Sequence, residues 1–425
     1  MKIWLVVDYE PVPGIDGDCR YLRYGTLATV LALRGHDITW WTSDFDHAHK
    51  RHRHTGAELD IQENLKLRLL PGDGYKKNIS LQRLRHNRSV AKSFVAATHS
   101  MPDDARPDVI VACLHTLELS EAAAAYARSR AIPFVVDIVD IWPEVYLRAF
   151  PTMFKKVMRH CLHWEYLRAR RVIESAREVT AVSHAYLKWA LSQIHDETKQ
   201  GTVFPLGYDE SASTGEAVDR ESDRFVRSYD LNPGCVNVAF VGQLSHSYDL
   251  DAVVAAARLL FPLYGDRLRF FIAGDGVDRT RLEASAQDLP TVAFTGWLSH
   301  PAIIALLRNC SVGLVSYAGT ATQSLPYKPF EYMAAGLALV SCLQGELAEL
   351  ISGKDIGLQY TAGSPESLAL RIREIMDYPE HRSGMQRRAR ELFDACYRAE
   401  TIYGCFSNQI ESVATGVVNC SPLPA

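Results

Sequence analysis

Two successive series of short apolar runs, rich in Val, Ile and aromatic residues and separated by stretches of helical spacing, confine this chain to few folds. The first series reads KIWLVV from Lys2, DITWWTS from Asp37, LKLRLLP from Leu65, DVIVACL from Asp108, PFVVDIV from Pro133 and EVTAVS from Glu178. A polar stretch from Tyr208 to Asn232 interrupts the pattern. It restarts with VNVAFVG from Val236, LRFFIAG from Leu268, VAFTG from Val292, VGLVSY from Val312, LALVSC from Leu337 and IGLQY from Ile356. Segments such as Tyr24 to Leu33, closed by Gly35, and Asp249 to Leu260 have the length and spacing of the intervening helices. Strand and helix in alternation predict an α/β chain with two Rossmann-like, doubly wound parallel sheets. A length of 425 residues exceeds what one core usually holds and fits two domains. The boundaries expected are 1–207 for the first domain, 208–234 for a linker and 235–386 for the second domain. Helical residues 387–414 would close the fold by crossing back to the first domain, and 415–425 would form a frayed tail. Ligands of such sheets bind beyond the carboxyl ends of the strands, so two facing domains imply a cleft.

Several classes fall away on composition. Apolar residues at 47% and charged residues at 23% are globular proportions, not those of a disordered or fibrous chain. No apolar run approaches the ~18 residues of a membrane span. Met1 to Val7 is too short, and too soon followed by Asp8 and Glu10, for a signal peptide. Nine cysteines without a CxxC pair fit reduced thiols, which together with the other signs predicts a cytoplasmic protein. Up to Pro205 there are 28 Lys and Arg against 24 Asp and Glu, and beyond it 18 against 26. The first half is thereby suited to an anionic partner, although the excess is too small for a dedicated nucleic-acid binder.

The strongest chemical pattern lies in the second half. The strand FFIAG runs into Gly274-Asp275-Gly276 and a helical VDRTRLEASA, which puts small residues where a backbone can approach a phosphate or ribose at a helix N-terminus. A tight turn without a ligand reads the same way. VAFTGW then ends at Trp297, followed by Leu298, a helix from about His300 to Asn309, the strand VGLVSY, and QSLPYKPFEYMAAG from Gln323 to Gly336. Asp249-Leu250-Asp251 spells a DxD, a pattern used elsewhere to hold a divalent cation, but it opens a helix and suits Asp249 as an N-cap. No His/Cys cluster at ligand spacing accompanies it, so neither metal nor cofactor is expected.

In their order and spacing these elements resemble the donor domain of GT-B-fold, retaining glycosyltransferases of glycosyltransferase family 4, over about Val236 to Gly357. The first half is more faintly similar, through ALRGHDITWWTS, DIVDIWPE, AVSHAYL and VFPLGYD; DIWPE is a mark of bacterial members that build surface polysaccharides. The resemblance implies that Glu331 accepts hydrogen bonds from the ribose of a nucleotide sugar, for which two carboxylate oxygens suit a vicinal diol. Gly274, Asp275, Gly276, Trp297 and Leu298 would lie near the nucleotide. Gln323 stands where the family has a further Glu. The family's Arg and Lys after the first donor-domain strand are replaced by Gln243 and Tyr248, in the loop that opens at Gly242. Because a departing nucleoside diphosphate gains negative charge, another cation is needed. Lys328 is the best candidate, helped by backbone N–H groups at Ser324 and Leu325 and by a helix N-terminus, with His246 second.

In the first half, Asp137 and Asp140 sit at or beyond the end of a strand, beside Trp142 and Glu144, where a carboxylate could orient or deprotonate an acceptor hydroxyl. Resemblance places Asp140 near the family's active-site strand end, where many members use a His. Asp16, Arg20, His47 and His115 follow other strand ends and could touch the acceptor. His47, Lys50, Arg51 and Arg53 form one basic loop. A second basic run, Lys155, Lys156, Arg159, Arg168, Arg170 and Arg171, is interleaved with Phe154, Met158, Leu162, Trp164 and Leu167. That run suits either an interfacial helix drawn to anionic lipid or an ordinary helix packed on the sheet.

The expected function is transfer of a hexosyl or hexosaminyl group, with retention, from a UDP- or GDP-linked donor. The acceptor would be a glycan or a polyprenyl-diphosphate-linked sugar at the inner membrane face. The departing phosphate would help accept the acceptor's proton, so that no dedicated base is required. A soluble natural-product acceptor, a GT-B-fold epimerase of UDP-sugars and a non-catalytic nucleotide-sugar binder are the alternatives.

Overall fold

The computed structural model describes all residues except 18, 54–55, 148–149, 212–213, 232–233, 322 and 418–425, with residue 152 described by its backbone alone. The tail expected from 415 lies, from 418 on, outside the described residues. The chain divides into two units, one made of Met1–Pro205 with the chain from Glu400 on, the other of Leu206–Ala399.

The first unit contains β1 (Lys2–Val6), β2 (Asp37–Ser43), β3 (Phe45–Asp46), β4 (Arg51–His52), β5 (Glu58–Gln62), β6 (Leu65–Leu70), β7 (Val109–Cys113), β8 (Phe134–Ile138), β9 (Glu178–Ala181) and β10 (Gly201–Val203). Apart from the β3–β4 hairpin, they form one sheet in the order β10-β9-β8-β7-β1-β2-β6-β5. It is parallel except at its β5 edge. Every residue of β7 and β8 is buried, as a parallel strand covered on both faces must be, and this is why the two runs are apolar at every position except Asp137. Trp4 on β1 and Trp41 on β2 meet edge-on at 5.1 Å, and Trp41 meets Phe94 of the helix Leu81–His99 at 5.2 Å. Because β1 is central and successive strands go first to one side and then the other, the order reverses between β1 and β7.

The second unit contains β11 (Val236–Val241), β12 (Leu268–Ala273), β13 (Val292–Gly296), β14 (Val312–Val315), β15 (Ala338–Ser341) and β16 (Gly357–Gln359). They form a parallel sheet in the order β13-β12-β11-β14-β15-β16. That is the doubly wound order, with its reversal between β11 and β14.

One expectation needs correction. Within 208–234, read as a linker, Glu216–Tyr229 form a helix. Phe225 packs on Phe271 of β12 at 5.0 Å between ring centroids, and Tyr229 at 5.1 Å. A surface helix needs only a narrow apolar stripe, and with two of its residues buried, Val218 and Phe225, its composition reads as polar.

At the other end the chain changes units. Helix Pro379–Leu392 and the π-turn Phe393–Tyr397 stay with the second unit. From Glu400 the final helix, Ala399–Thr415, packs in the first, where Phe406 stacks on Phe204 at 4.7 Å and Glu411 binds Arg34 at 2.8 Å and His36 at 2.9 Å. No helix among the described residues is long and apolar enough to cross a membrane.

Candidate functional site

In the second unit the chemistry gathers where the strand order reverses. β11 ends at Val241 and passes into Gly242; on the other side β14 leads into Ser316 and Tyr317, and the helix Tyr327–Ala334 docks over both. Tyr332 anchors that helix. It is fully buried, its hydroxyl accepts the Val241 N–H at 3.0 Å, and its ring lies so close to Gly313 that a Cβ there would come within 2.3 Å of it.

Lys328, four residues earlier and therefore on the same helix face, is 9% exposed. Its Nζ donates to the Tyr248 hydroxyl at 3.0 Å and stands 4.3 Å from the ring centroid of Tyr248 and 5.4 Å from those of Phe240 and Tyr317. A Cβ on Gly242 would be 2.7 Å from this nitrogen, so the absence of a side chain there makes room for the ammonium. Among the described residues no acidic side chain ion-pairs with Lys328. Three rings and one hydroxyl compensate for its lost water; cation–π contacts of a desolvated ammonium are worth roughly 2 kcal/mol. Glu331 shares this face and is half-buried. Burial pushes the hydroxyls of Tyr317 and Tyr332 well above the usual phenol range, with neighbouring Tyr248 and Glu331 adding to the effect.

The neighbouring loops are stitched to one another. Gly242 N–H donates to Ala273 at 2.9 Å, Leu244 N–H to Asp275 at 2.8 Å and Gly274 N–H to Gly296 at 2.8 Å. Gly274, at φ +134°, lies where a Cβ would fall 1.8 Å from the Gly242 carbonyl. This close approach of two backbones by itself accounts for glycine at 274. Asp275 accepts the Gly276 N–H at 2.7 Å and binds Arg279 at 3.2 Å.

Leu298 packs against the cluster of Phe225, Phe271, Ala273 and Leu306. Ser324 donates to Glu346 at 3.1 Å, and the side chain of Leu325 is buried, which leaves backbone N–H groups as what these two can offer a ligand. His246 is exposed and 3.0 Å from Asp278. Trp297 is 66% exposed at the end of β13, and Gln323 is half-buried in the loop before Lys328. Asp249 is the N-cap residue of the helix Leu250–Tyr264 and its carboxylate accepts the Gly363 N–H at 2.7 Å, while Asp251 binds Arg281 at 2.5 Å. The two carboxylates therefore serve separate partners.

In the first unit, Asp137 is not at a strand end but inside β8, with no exposed surface. It accepts two bonds from Arg23, at 2.7 and 3.0 Å, one from Tyr24 at 2.6 Å and one from Thr180 at 2.7 Å. A carboxylate so saturated holds the unit together and has no lone pair left for an acceptor. Asp16 is likewise withdrawn, since Arg53 grips both its oxygens at 2.8 and 2.7 Å. That pair also removes Arg53 from the expected basic loop. Asp140 is half-buried two residues beyond β8, and Arg20 is half-buried ahead of the helix Arg23–Leu33.

His47 and His115 do come together, around Tyr9 at the end of β1. Their ring centroids lie 4.8 and 5.1 Å from that of Tyr9, and His115 also stacks on Trp142 at 5.7 Å. Burial, with Lys50 and Arg83 beside His47 and Arg83 and His47 beside His115, lowers both imidazoles to about 3. They are neutral at physiological pH.

Sequence reading missed Asp8, Arg83 and the tyrosines of the second unit. Asp8 directly follows Val7, and burial pushes its carboxyl up to about 6; its Oδ2 has no hydrogen-bond partner. Tyr317, two residues past β14, could have been found by applying the strand-end rule to every run and not only to charged residues. The long basic run is mostly neutralised. Arg159 binds Glu144 at 2.8 Å, Arg168 and Arg171 bind Glu121 at 2.7 and 2.6 Å, and Arg170 binds Glu174 at 2.7 Å. Lys155 and Lys156 stay exposed beside Phe154, Val157 and Trp164, whose apolar surface is 51, 61 and 73% exposed. For those three the helix-on-sheet reading does not hold.

Comparison with known proteins gives a family match over part of the chain and a fold. Residues 222–392 match the family model described as glycosyl transferases group 1. Over 174 residues the chain is 32% identical to a GDP-mannose-dependent alpha-(1-6)-phosphatidylinositol dimannoside mannosyltransferase of Mycobacterium tuberculosis, a match spanning 40% of this chain and 43% of that relative. Among solved structures, sucrose-phosphate synthase from Thermosynechococcus elongatus superposes with a TM-score of 0.73 at 16% identity, covering 98% of this chain and 100% of the other. Anabaena Alr3699/HepE in complex with UDP gives 0.65 at 15% identity, covering 97% and 99%. At such identities the likeness shows the fold, GT-B.

Proposed function

We propose, from the match of residues 222–392 to the glycosyl transferases group 1 model, that the protein is a retaining, nucleotide-sugar-dependent glycosyltransferase. The observation that carries this reading is Lys328: a buried ammonium with no acidic ion-pair partner among the described residues, held against Gly242 at the strand-order reversal of a doubly wound sheet. A cation kept there without a counter-ion suits a diphosphate, whose charge grows as the bond to the anomeric carbon breaks. The N-terminus of helix Tyr327–Ala334 adds its positive end. Glu331, on the same face, would accept the ribose hydroxyls. The sugar would be transferred on the face from which the diphosphate departs, the leaving phosphate oxygen taking the acceptor's proton. Acceptor binding would fall to the first unit, with Asp140 orienting the hydroxyl. The acceptor expected is a glycan or lipid-linked sugar.

Incubation with UDP-, GDP- and dTDP-sugars, with and without acceptors, tests the reading. Nucleoside diphosphate released only when an acceptor is present supports it; an isomerised sugar nucleotide, or binding with no turnover, overturns it. Glu331→Ala is expected to raise the donor KM ~10-fold or more with kcat changed less, the worth of a hydrogen bond to a charged acceptor. An unchanged donor KM would remove Glu331 from the site.

Exposed Phe154, Val157 and Trp164 beside Lys155 and Lys156 support contact with an anionic lipid surface at the inner face of the membrane. The full chain should sediment with phosphatidylglycerol vesicles, and Lys155→Glu with Lys156→Glu should release it. A wild-type protein that stays in the supernatant would refute the contact.

A further inference from the structure

The first unit holds a second unpaired buried cation that the mechanism above does not use. Arg83 lies in the first turn of the helix Leu81–His99 and is 6% exposed. Its Nε donates to the Tyr9 hydroxyl at 3.4 Å and one terminal nitrogen to the Asn78 carbonyl at 3.0 Å. The guanidinium carbon sits 4.7 Å from the ring centroid of Tyr9, 4.9 Å from that of Trp142 and 5.7 Å from that of Tyr75. Five N–H donors on a fixed fork outnumber these two acceptors. Among the described residues no carboxylate ion-pairs with it. Lys50 reaches the same spot: its Nζ lies 4.7 Å from the Tyr75 ring centroid and donates to Asn78 Oδ1 at 2.6 Å, again with no acidic ion-pair partner.

Two cations without an acidic ion-pair partner among the described residues are thus packed together around Tyr75 and Asn78, near the carboxyl end of β1. Burial, with the charge of Arg83 adding to it, lowers the Lys50 ammonium to about 8 and the imidazoles of His47, His86 and His115 to between about 3 and 4. The Nε1–H of Trp142, 4% exposed, is a further buried donor with no partner. The backbone carries strain at the same place, for Tyr9 and Lys50 adopt φ of 71° and 56°, which non-glycine residues avoid.

We propose that Arg83 and Lys50 form an anion site in the first unit that takes a phosphate ester or diphosphate, and that the acceptor is phosphorylated and held by that group. The phosphate would supply the acceptor oxygens that the guanidinium fork and the ammonium lack, in the bidentate geometry Arg offers phosphate. The assignment of its occupant as acceptor rests on the glycosyltransferase reading; the site itself does not.

Titration of the full chain with inorganic phosphate tests it by calorimetry. In a Lys328→Ala background, which removes the second unit's anion-binding cation, phosphate binding should persist, with Arg83→Gln weakening it at least 10-fold and Lys50→Gln about 3-fold, the last keeping the test decisive should loss of Arg83 unfold the unit. Competition then separates the sources. Displacement of phosphate by hexose 6-phosphate indicates a soluble ester, displacement by farnesyl diphosphate a lipid-linked one, and either supports the site. No phosphate binding by the wild type, or undiminished binding by both Arg83→Gln and Lys50→Gln, overturns it. In transfer assays Lys50→Gln should raise the acceptor KM and spare the donor KM. Transfer indifferent to Lys50 would sink the acceptor assignment and spare the function, whereas phosphate binding without any transfer would spare the site and sink the function together with the acceptor assignment that rests on it.

Discussion

Lys328→Ala is expected to lower kcat/KM by roughly 10²- to 10³-fold, or about 2.7–4 kcal/mol of lost transition-state stabilisation, the worth of one preorganised donor at a centre of developing charge. The estimate follows from where the side chain is kept. An ammonium exposed to solvent would be one of many screened cations, whereas this one is buried at 9% exposure, ringed by Tyr248, Tyr317 and Phe240, and has no acidic ion-pair partner among the described residues. The charge of a departing diphosphate would be its natural complement. Lys328→Met keeps the stem and should show the same deficit, which separates loss of charge from loss of packing. Lys328→Arg should not restore activity, because the ammonium already sits where a single Cβ on Gly242 would come within 2.7 Å. Turnover within threefold of wild type for Lys328→Met, in protein of unchanged melting temperature, would defeat the role.

The second large effect concerns stability. Asp137→Ala should destabilise the first unit by about 3–5 kcal/mol, because it strands a buried guanidinium without its counter-ion. Arg23 and Asp137 have side chains 2 and 0% exposed. Arg23 also donates to the carbonyl of Phe204 at 2.9 Å and stands 5.1 Å from the ring centroid of Phe406. One ion pair thus ties β8 to the first helix, to the chain leaving β10 and to the final helix. Calorimetry should show the first unit's transition falling by roughly 10 °C, at 2–4 °C per kcal/mol for a unit of this size. Arg23→Met combined with Asp137→Leu should recover much of the loss, since well-packed apolar residues can replace a buried pair. A drop below about 1 kcal/mol for Asp137→Ala would mean that water or rearrangement rescues Arg23.

Both results bear on what could be read without coordinates. The strand runs were legible because a parallel strand covered on both faces is apolar along most of its length, as β7 is throughout and β8 is apart from Asp137. The restart at Val236 gave the second sheet, and the FTGW and EYMAAG patterns lie within the stretch, residues 222–392, that matches the glycosyl transferases group 1 model. The linker failed, because Glu216–Tyr229 need only a narrow stripe to dock. Charged residues near strand ends were the least legible. Asp137, Asp16 and Arg53 read as solvent-facing candidates, and all three proved to be locked in buried pairs. Their partners, Arg23 for Asp137 and Arg53 for Asp16, lie 114 and 37 residues away. No local pattern can announce a pairing at that separation.

Periodicity and spacing therefore determined the two doubly wound sheets and the neighbourhood of Lys328 and Glu331, since both depend on which residues lie near in sequence. Which cations lack an acidic partner was settled by the folded chain alone: Lys328 and Arg83 stand apart from Arg23, Arg53 and Arg168 only in what tertiary packing brings within reach. An ion pair is a contact between distant segments, and burial, which makes its absence consequential, is a property of the completed fold.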